Sequence, residues 1–358
     1  MATTSFGTND SLTVKLWSAK LFEEVLKETW FQKFIGKDSN ALCQRLDDAA
    51  KSSGDRIRVG LRMQLTGTGI QGSGTLEGNE ESLTTYSDDV LINYLKHAVR
   101  WEDVISTQRV AFDIRTEGLM GLRDWWADRM DTAFMNQLAG NTGQGSTLYT
   151  GNNATLAPAA SRLITAGPNL DTTEASLSAS TTFSLQFREL DRAVAIARSV
   201  TPPIRPIRVN GGEYYVLFLH PYQVYQMRRD TTTNNFMDIA RQALAGAVQQ
   251  GKSAIYDGAL GVYNKVILHE STRVPIITGT PNSGAAAAFR RSPFCGAQAL
   301  ALAYGKGYGP GKFDWVEEKF DYKDQVGIKA GCVHGIKKMV FNSVDFGVIA
   351  ISGYAPTV

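Results

Sequence analysis

The stretch from Arg56 to Leu65 constrains this chain more than any other. Ile57, Val59, Leu61, Met63 and Leu65 take every second position, while Arg56, Arg58, Arg62 and Gln64 stand between them. Side chains of a strand point alternately to opposite faces, so this period of two predicts a strand with one dry and one charged face. It runs into Thr66-Gly67-Thr68-Gly69-Ile70-Gln71-Gly72-Ser73-Gly74, and an acidic cluster follows at Glu77, Glu80 and Glu81. A second β-rich segment, about 89–101, then returns. The whole reads as a long two-stranded excursion with a mobile, glycine-rich tip. A hairpin standing alone is marginal in water, so one of this length is expected to lean on a partner chain.

Helical periodicity appears on either side. Trp17, Leu21, Phe22, Val25, Leu26, Trp30 and Phe34 share one face of a helix expected over about 14–35, with Gly36 as its C-cap. A face this apolar must be buried, either on the chain's own core or as an arm across a neighbouring copy; the spacing leaves both open. Leu119, Leu122, Trp126, Met130, Phe134 and Leu138 predict a second helix over about 113–139, ended by Gly140. At about 1.5 Å per residue it would be roughly 40 Å long, a spine rather than a connector. Residues 141–182 are rich in Gly, Asn, Ser, Thr and Ala and read as a long loop or surface insertion. A helix is expected at about 185–200, stopped by Thr201-Pro202-Pro203, then a buried strand at Tyr214–Leu219 and a short helix launched by His220-Pro221. A helix about 236–247 and strands about 262–270, 327–342 and 346–351 complete an α+β pattern without internal repeats.

Several function classes are disfavoured. The net charge of +2 gives no electrostatic case for a dedicated nucleic-acid surface. The apolar run Tyr214–Leu219 is only 6 residues, far short of the roughly 20 that span a bilayer, and the amino terminus carries no secretory signal. Cys43, Cys295 and Cys332 provide neither a disulfide framework nor a zinc ligand set. Gly246 to Ser253 matches the phosphate-loop pattern through Lys252, but that mechanism needs a strand before the loop and a helix after it. Here Phe236–Ala245 looks helical and the segment after Ser253 breaks quickly. Gly67 to Gly72 fits the dinucleotide pattern, yet Ser73–Gly78 is no helix start. His97, His220, His269 and His334 are scattered, and Trp125-Trp126 reads as a core or interface anchor. No catalytic residue, cofactor or metal is expected.

The order of elements resembles the Hong Kong 97-like phage capsid fold. Collinear stretches sharpen this toward the major capsid family typified by the phage N-four coat protein. They are Phe31–Asn40 (FQKFIGKDSN), Leu76–Glu81 (LEGNEE), Gly121–Asp131 (GLRDWWADRMD), Gly258–Val274 (GALGVYNKVILHESTRV), Gly296–Ala303 (GAQALALA) and Gly335–Ile349 (GIKKMVFNSVDFGVI). The similarity covers nearly the whole chain. It implies a tailed-bacteriophage major capsid protein that assembles with copies of itself, as hexamers and pentamers, into an icosahedral shell around double-stranded DNA. The implied layout is 1–55 as N-terminal arm, 56–108 as extended loop and 109–212 as peripheral domain with the spine helix and the insertion 141–182. Residues 213–305 would be the axial domain and 306–358 the C-terminal β segment of the peripheral domain. Portal, scaffolding and decoration proteins are the further partners implied, with non-specific DNA contact, no membrane, and assembly in the bacterial host cytoplasm before residence in the virion. The intersubunit contacts expected are Trp17, Phe22 and Trp30 on the arm and Gly67, Gly69 and Gly72 in the hairpin tip. Glu77, Glu80 and Glu81 are expected to face Arg123 or Arg129 of a neighbour. A phage ring or tube subunit and a phosphate-loop enzyme are the competing readings.

Overall fold

A computed structural model describes residues 30–46, 54–101, 114–169, 171–209, 211–229, 259–277, 289–309, 313–321 and 325–356. Trp17 and Phe22, the helix expected at about 236–247 and the phosphate-loop match at 246–253 lie outside the described residues. The first described turn, Trp30–Phe34, is a 3-10 helix, and the chain straightens at once into β1 (Ile35–Gly36) and β2 (Cys43–Leu46). Gly36 is therefore a strand residue rather than a helix cap. Residues 14–29 of the helix expected at about 14–35 lie outside the described residues. Its described end is docked on the core: the amides of Trp30 and Phe31 donate to the Asp131 carboxylate at 3.2 and 3.1 Å, and Phe31 stacks on Phe134 at 4.5 Å.

β3 (Arg56–Arg62) and β4 (Thr85–Leu91) form the expected antiparallel hairpin, with Arg56 opposite Leu91 and Arg62 opposite Thr85. Ile57, Val59 and Leu61 are half-buried while the arginines face solvent, as the alternation requires. The alternation outruns the ladder, since Leu65 lies beyond the paired strands and is 57% exposed. The return also divides: β5 (Asn93–Trp101) leaves the hairpin for another sheet. α1 (Ile114–Ala139) has 26 residues and ends at Gly140, which takes φ +60°. β6 (Leu163–Thr165) precedes α2 (Phe187–Ser199), and β7 (Ile207–Val209) and β8 (Gly212–Leu219) precede α3 (Pro221–Arg229). The strand expected at 262–270 is in fact the hairpin of β9 (Ala259–Tyr263) and β10 (Val266–Glu270). Asn264 and Lys265 between them both have positive φ, the pattern of a tight two-residue turn. β11 (Phe289–Cys295), β12 (Leu300–Tyr304), β13 (Asp314–Phe320), β14 (Gln325–Lys338), β15 (Val340–Phe341), β16 (Val344–Asp345) and β17 (Val348–Tyr354) follow.

Two larger sheets result. The first runs β1-β2-β12-β14-β13, with β5 also on β14; the second runs β6-β17-β11-β8-β10-β9, with β7 on β8. β14 is the organiser of the first sheet, antiparallel to β5, β13 and the whole of β12. α1 presents Leu122, Trp126, Met130, Phe134 and Leu138, all at or below 5% exposure, to Ile328, Ala330, Cys332 and Ile336 of β14. Each such side chain contributes roughly 1.5–3 kcal/mol relative to exposure. A second core joins α2 (Leu190, Val194, Ala197) to β8, β10, β11 and β17, and a third lies under the hairpin base around Val90, Ile92, Ala301, Ala303 and Phe341.

Residues 141–182 are not a surface insertion. Arg162, Ile164 and Leu177 are fully buried, and β6 closes one edge of the second sheet. The polar composition serves backbone pairing. Gln137 Nε2 donates to the carbonyls of Thr150 and Asn153 at 2.7 and 2.9 Å, and Asn152 Nδ2 donates to His334 O at 2.8 Å. Asn153 exchanges two 2.9 Å bonds with the Leu91 backbone. The stretch is a loop, as its composition implies, apart from short 3-10 turns and the three residues of β6; burial of its amide side chains against strand edges is what the composition does not reveal.

Candidate assembly surface

The hairpin of β3 and β4 carries a tip, residues 63–84, whose conformation is set by glycine and glutamate rather than by a core. Beyond the ladder the Met63 amide still donates to Thr84 O at 3.0 Å. Glu81 then binds the opposite limb: its carboxylate accepts from the amides of Thr66 (2.8 Å) and Gly67 (2.6 Å) and from the Thr66 hydroxyl (3.2 Å). Those amide bonds hold the Glu81 carboxyl below its ordinary range. A Cβ at Gly67 would lie 2.7 Å from Glu81 Oε2, so a larger residue there would push the carboxylate aside. Gly69 and Gly72 take positive φ, where other residues are strained, and Glu80 accepts from the Gly78 amide at 2.8 Å.

Apolar residues on this tip have little cover. Leu76 and Leu83 are 63% and 62% exposed, and Ile70 joins them among the exposed large hydrophobics. Ordinary surfaces carry single exposed leucines, but several on one segment with no core of its own make a candidate contact surface. The expectation from sequence concentrated on the glutamates and missed these leucines, although their placement within a polar stretch was a visible signal.

The other expected contacts are placed less uniformly. Trp30 is half-buried in its own chain, with ring edges against Phe218 at 5.5 Å and His269 at 5.9 Å. Arg123 pairs with Asp124 at 3.6 Å, and Arg129 lies over Trp125 at 4.8 Å and Tyr149 at 4.0 Å. Among the described residues no ion pair joins Glu77, Glu80 or Glu81 to either arginine within the chain. The hairpin base adds a bidentate Arg58–Asp89 pair at 2.7 and 3.0 Å.

No group of three or more His, Cys, Asp or Glu among the described residues is arranged to hold a metal. Cys43, Cys295 and Cys332 are buried and unlinked, and burial pushes their thiols upward, away from the reactive thiolate. The Gly67–Gly72 match is followed by turns, so no helix end faces a pyrophosphate.

Comparison with known proteins points one way. A family model described as "Phage capsid protein" matches residues 5–357. The chain is 27% identical to the major capsid protein of Pseudomonas phage KPP25, over 96% of this chain and 95% of that one. Among solved structures it is similar to the capsid of Ralstonia phage GP4, with a TM-score of 0.79 and 29% identity over 99% of both chains. The cyanophage Pam1 capsid shares the fold at a TM-score of 0.71 and 21% identity, over 91% of this chain and 92% of that one.

Proposed function

The chain belongs to the phage capsid protein family, and from that premise we propose that it builds the closed icosahedral head shell of a tailed double-stranded DNA phage. Its role is that of a major capsid protein, and its α+β architecture is Hong Kong 97-like. The observation that carries the shell reading is the end-to-end likeness to a capsid subunit, which includes the projecting hairpin.

In this reading residues 1–55 are the N-terminal arm and 56–108 the extended loop. Residues 109–212 with 306–358 make the peripheral domain, and 213–305 make the axial domain at the centres of hexamers and pentamers. The hairpin tip of one subunit lies on the next, a heterologous contact repeated until the ring closes. Glu77, Glu80 and Glu81 meet Arg123 or Arg129 of that neighbour, and Trp17, Phe22 and Trp30 belong to the arm contact. Arg129 is half-buried and already stacked over Trp125 and Tyr149 of its own chain, so this pairing would have to compete with those stacks. Portal, scaffolding and decoration proteins and the packaged DNA are the further partners of such a shell. Assembly takes place in the bacterial cytoplasm and the product resides in the virion.

Electron microscopy of the purified chain, alone and with the neighbouring phage gene products, tests this. Closed shells, or hexamers and pentamers, are expected. Open tubes in both preparations, or a monodisperse monomer in both, would overturn it.

A further inference from the structure

A recess away from the hairpin has a lining made largely of hydrogen-bond donors. It opens where the turn before α2, the first turn of α2 and the last turn of α3 converge, and it encloses about 420 Å³. That falls in the size range of small-molecule sites, roughly 300–1,000 Å³. Its polar wall consists of hydroxyls (Thr181, Thr182, Ser184), carboxamides (Gln186, Gln226) and guanidinium groups (Arg188, Arg229). Every one of these can donate a hydrogen bond, two carry fixed positive charge, and no carboxylate lines the recess among the described residues.

Two of these residues are buried, and one of them, Ser184, is unmatched. Ser184 is 6% exposed, and its Oγ has no hydrogen-bond partner in the chain. Gln226 is 7% exposed and lies one helical turn before Arg229 on α3. Buried polar groups are nearly always hydrogen-bonded, because an unmatched one gives up its bonds to water for nothing. Arg188 is partly engaged, donating to Glu189 and to Gly167 O, whereas Arg229 is an exposed cation at the rim. The amino end of α2 is not what attracts a ligand, since the Gln186 amide already donates to Glu189 at 3.0 Å. The vacant capacity belongs to side chains.

We propose that this recess binds a phosphate group. A phosphate presents several strong acceptor oxygens to a wall made of donors, and its charge-assisted bonds to guanidinium are about twice as strong as neutral ones. A carboxylate has only two oxygens and would leave much of this wall unmatched. The same chemistry comes from two sources, a small phosphate compound or the phosphodiester backbone of nucleic acid.

The test uses the full-length soluble chain, so its outcome is separate from that of shell formation. Inorganic phosphate, adenosine monophosphate, a duplex oligonucleotide and acetate are each titrated at matched ionic strength by calorimetry. Saturable phosphate binding is expected, weakened at least about tenfold by Arg229→Gln. Arg229 is exposed, so that variant folds. Ser184→Ala removes only the unmatched hydroxyl; it is expected to leave the melting temperature unchanged or raise it while weakening phosphate binding. Displacement of phosphate by the duplex, lost in Arg229→Gln, identifies nucleic acid as the source. Displacement by the mononucleotide alone identifies a small phosphate compound. Acetate binding as tightly as phosphate, or phosphate binding that is equal in wild type and both variants, would overturn the proposal.

Discussion

His334 illustrates how burial makes a single residue respond to acid. It lies on β14 at 2% exposure, with the Trp126 ring edge 5.9 Å away, and its backbone carbonyl accepts from Asn152. Burial pushes the imidazole down to about 4 from its ordinary value, so it stays neutral in the fold. The unfolded chain therefore binds the proton more readily than the native one. The resulting stability is fully present above the unfolded value near pH 6.5 and is lost as pH falls toward about 4. Over that window the loss amounts to at most about 3 kcal/mol. His220 is pushed to about 4 as well, by burial first and then by Arg290, so the wild type alone does not isolate either residue. In urea titrations at pH 7 and pH 4, His334→Gln is expected to lose less stability on acidification than the wild type does. Equal losses in the two proteins would show that His334 is not buried as a neutral ring.

At the scale of elements, the end of α1 separates what sequence can convey from what it cannot. Gly140 is legible as a helix stop because a left-handed residue commonly ends a helix and only glycine adopts that region freely. The groups that surround the stop are not legible. Arg291 donates to the carbonyls of Ala139 and Gly140 at 3.0 and 2.7 Å and pairs with Glu174 at 2.6 Å, and Ser352 donates to the same carboxylate. Those partners come from β11, from the stretch 141–182 and from β17, and no local period links them. The pattern held where a face is defined by spacing, as in β3 and α1. It was silent on tertiary pairing, as where the Trp30 and Phe31 amides meet Asp131 and where the side-chain amides of Asn152 and Asn153 bond strand backbone. The tip was legible as an excursion through its glycines and acids, but the turn back into the body at Ile92 was not. At Gly140 an added Cβ would lie 2.4 Å from Leu156 O and 3.1 Å from both Lys338 Nζ and Pro158 Cδ. Lys338 cannot readily move away, being held in a buried 2.6 Å pair with Asp345. Gly140→Ala is therefore expected to cost at least about 2 kcal/mol, from left-handed strain plus displacement of a carbonyl. Denaturant titration reads it, and a cost near zero would mean that the α1 terminus relaxes freely.

For the whole molecule the question is which part of the tip holds a neighbouring subunit. The glutamates are the more conspicuous feature, yet a surface ion pair contributes only about 0–1 kcal/mol and is screened by salt. Burying an exposed leucine on a partner contributes roughly 1.5–3 kcal/mol and does not depend on salt in the same way. Leu76 and Leu83 are both more than 60% exposed on a segment with no core beneath it. The apolar contribution should therefore dominate the strength of the contact, with charge setting approach and register. Glu81 complicates any test, because it binds the Thr66 and Gly67 amides and its reversal would also unlock the tip. Keeping Glu81 preserves its two amide bonds, and Glu77→Lys alone serves as the control for the Glu80 bond to the Gly78 amide. Leu76→Asn with Leu83→Asn is expected to abolish sedimenting particles, whereas Glu77→Lys with Glu80→Lys should slow assembly and raise its salt sensitivity while still yielding shells. Both pairs of sites lie outside the cores, so each variant monomer should melt as the wild type does. If the leucine pair assembles normally and the glutamate pair does not, charge rather than apolar burial holds the subunits together, and the surface identified from Leu76 and Leu83 is not the one that matters.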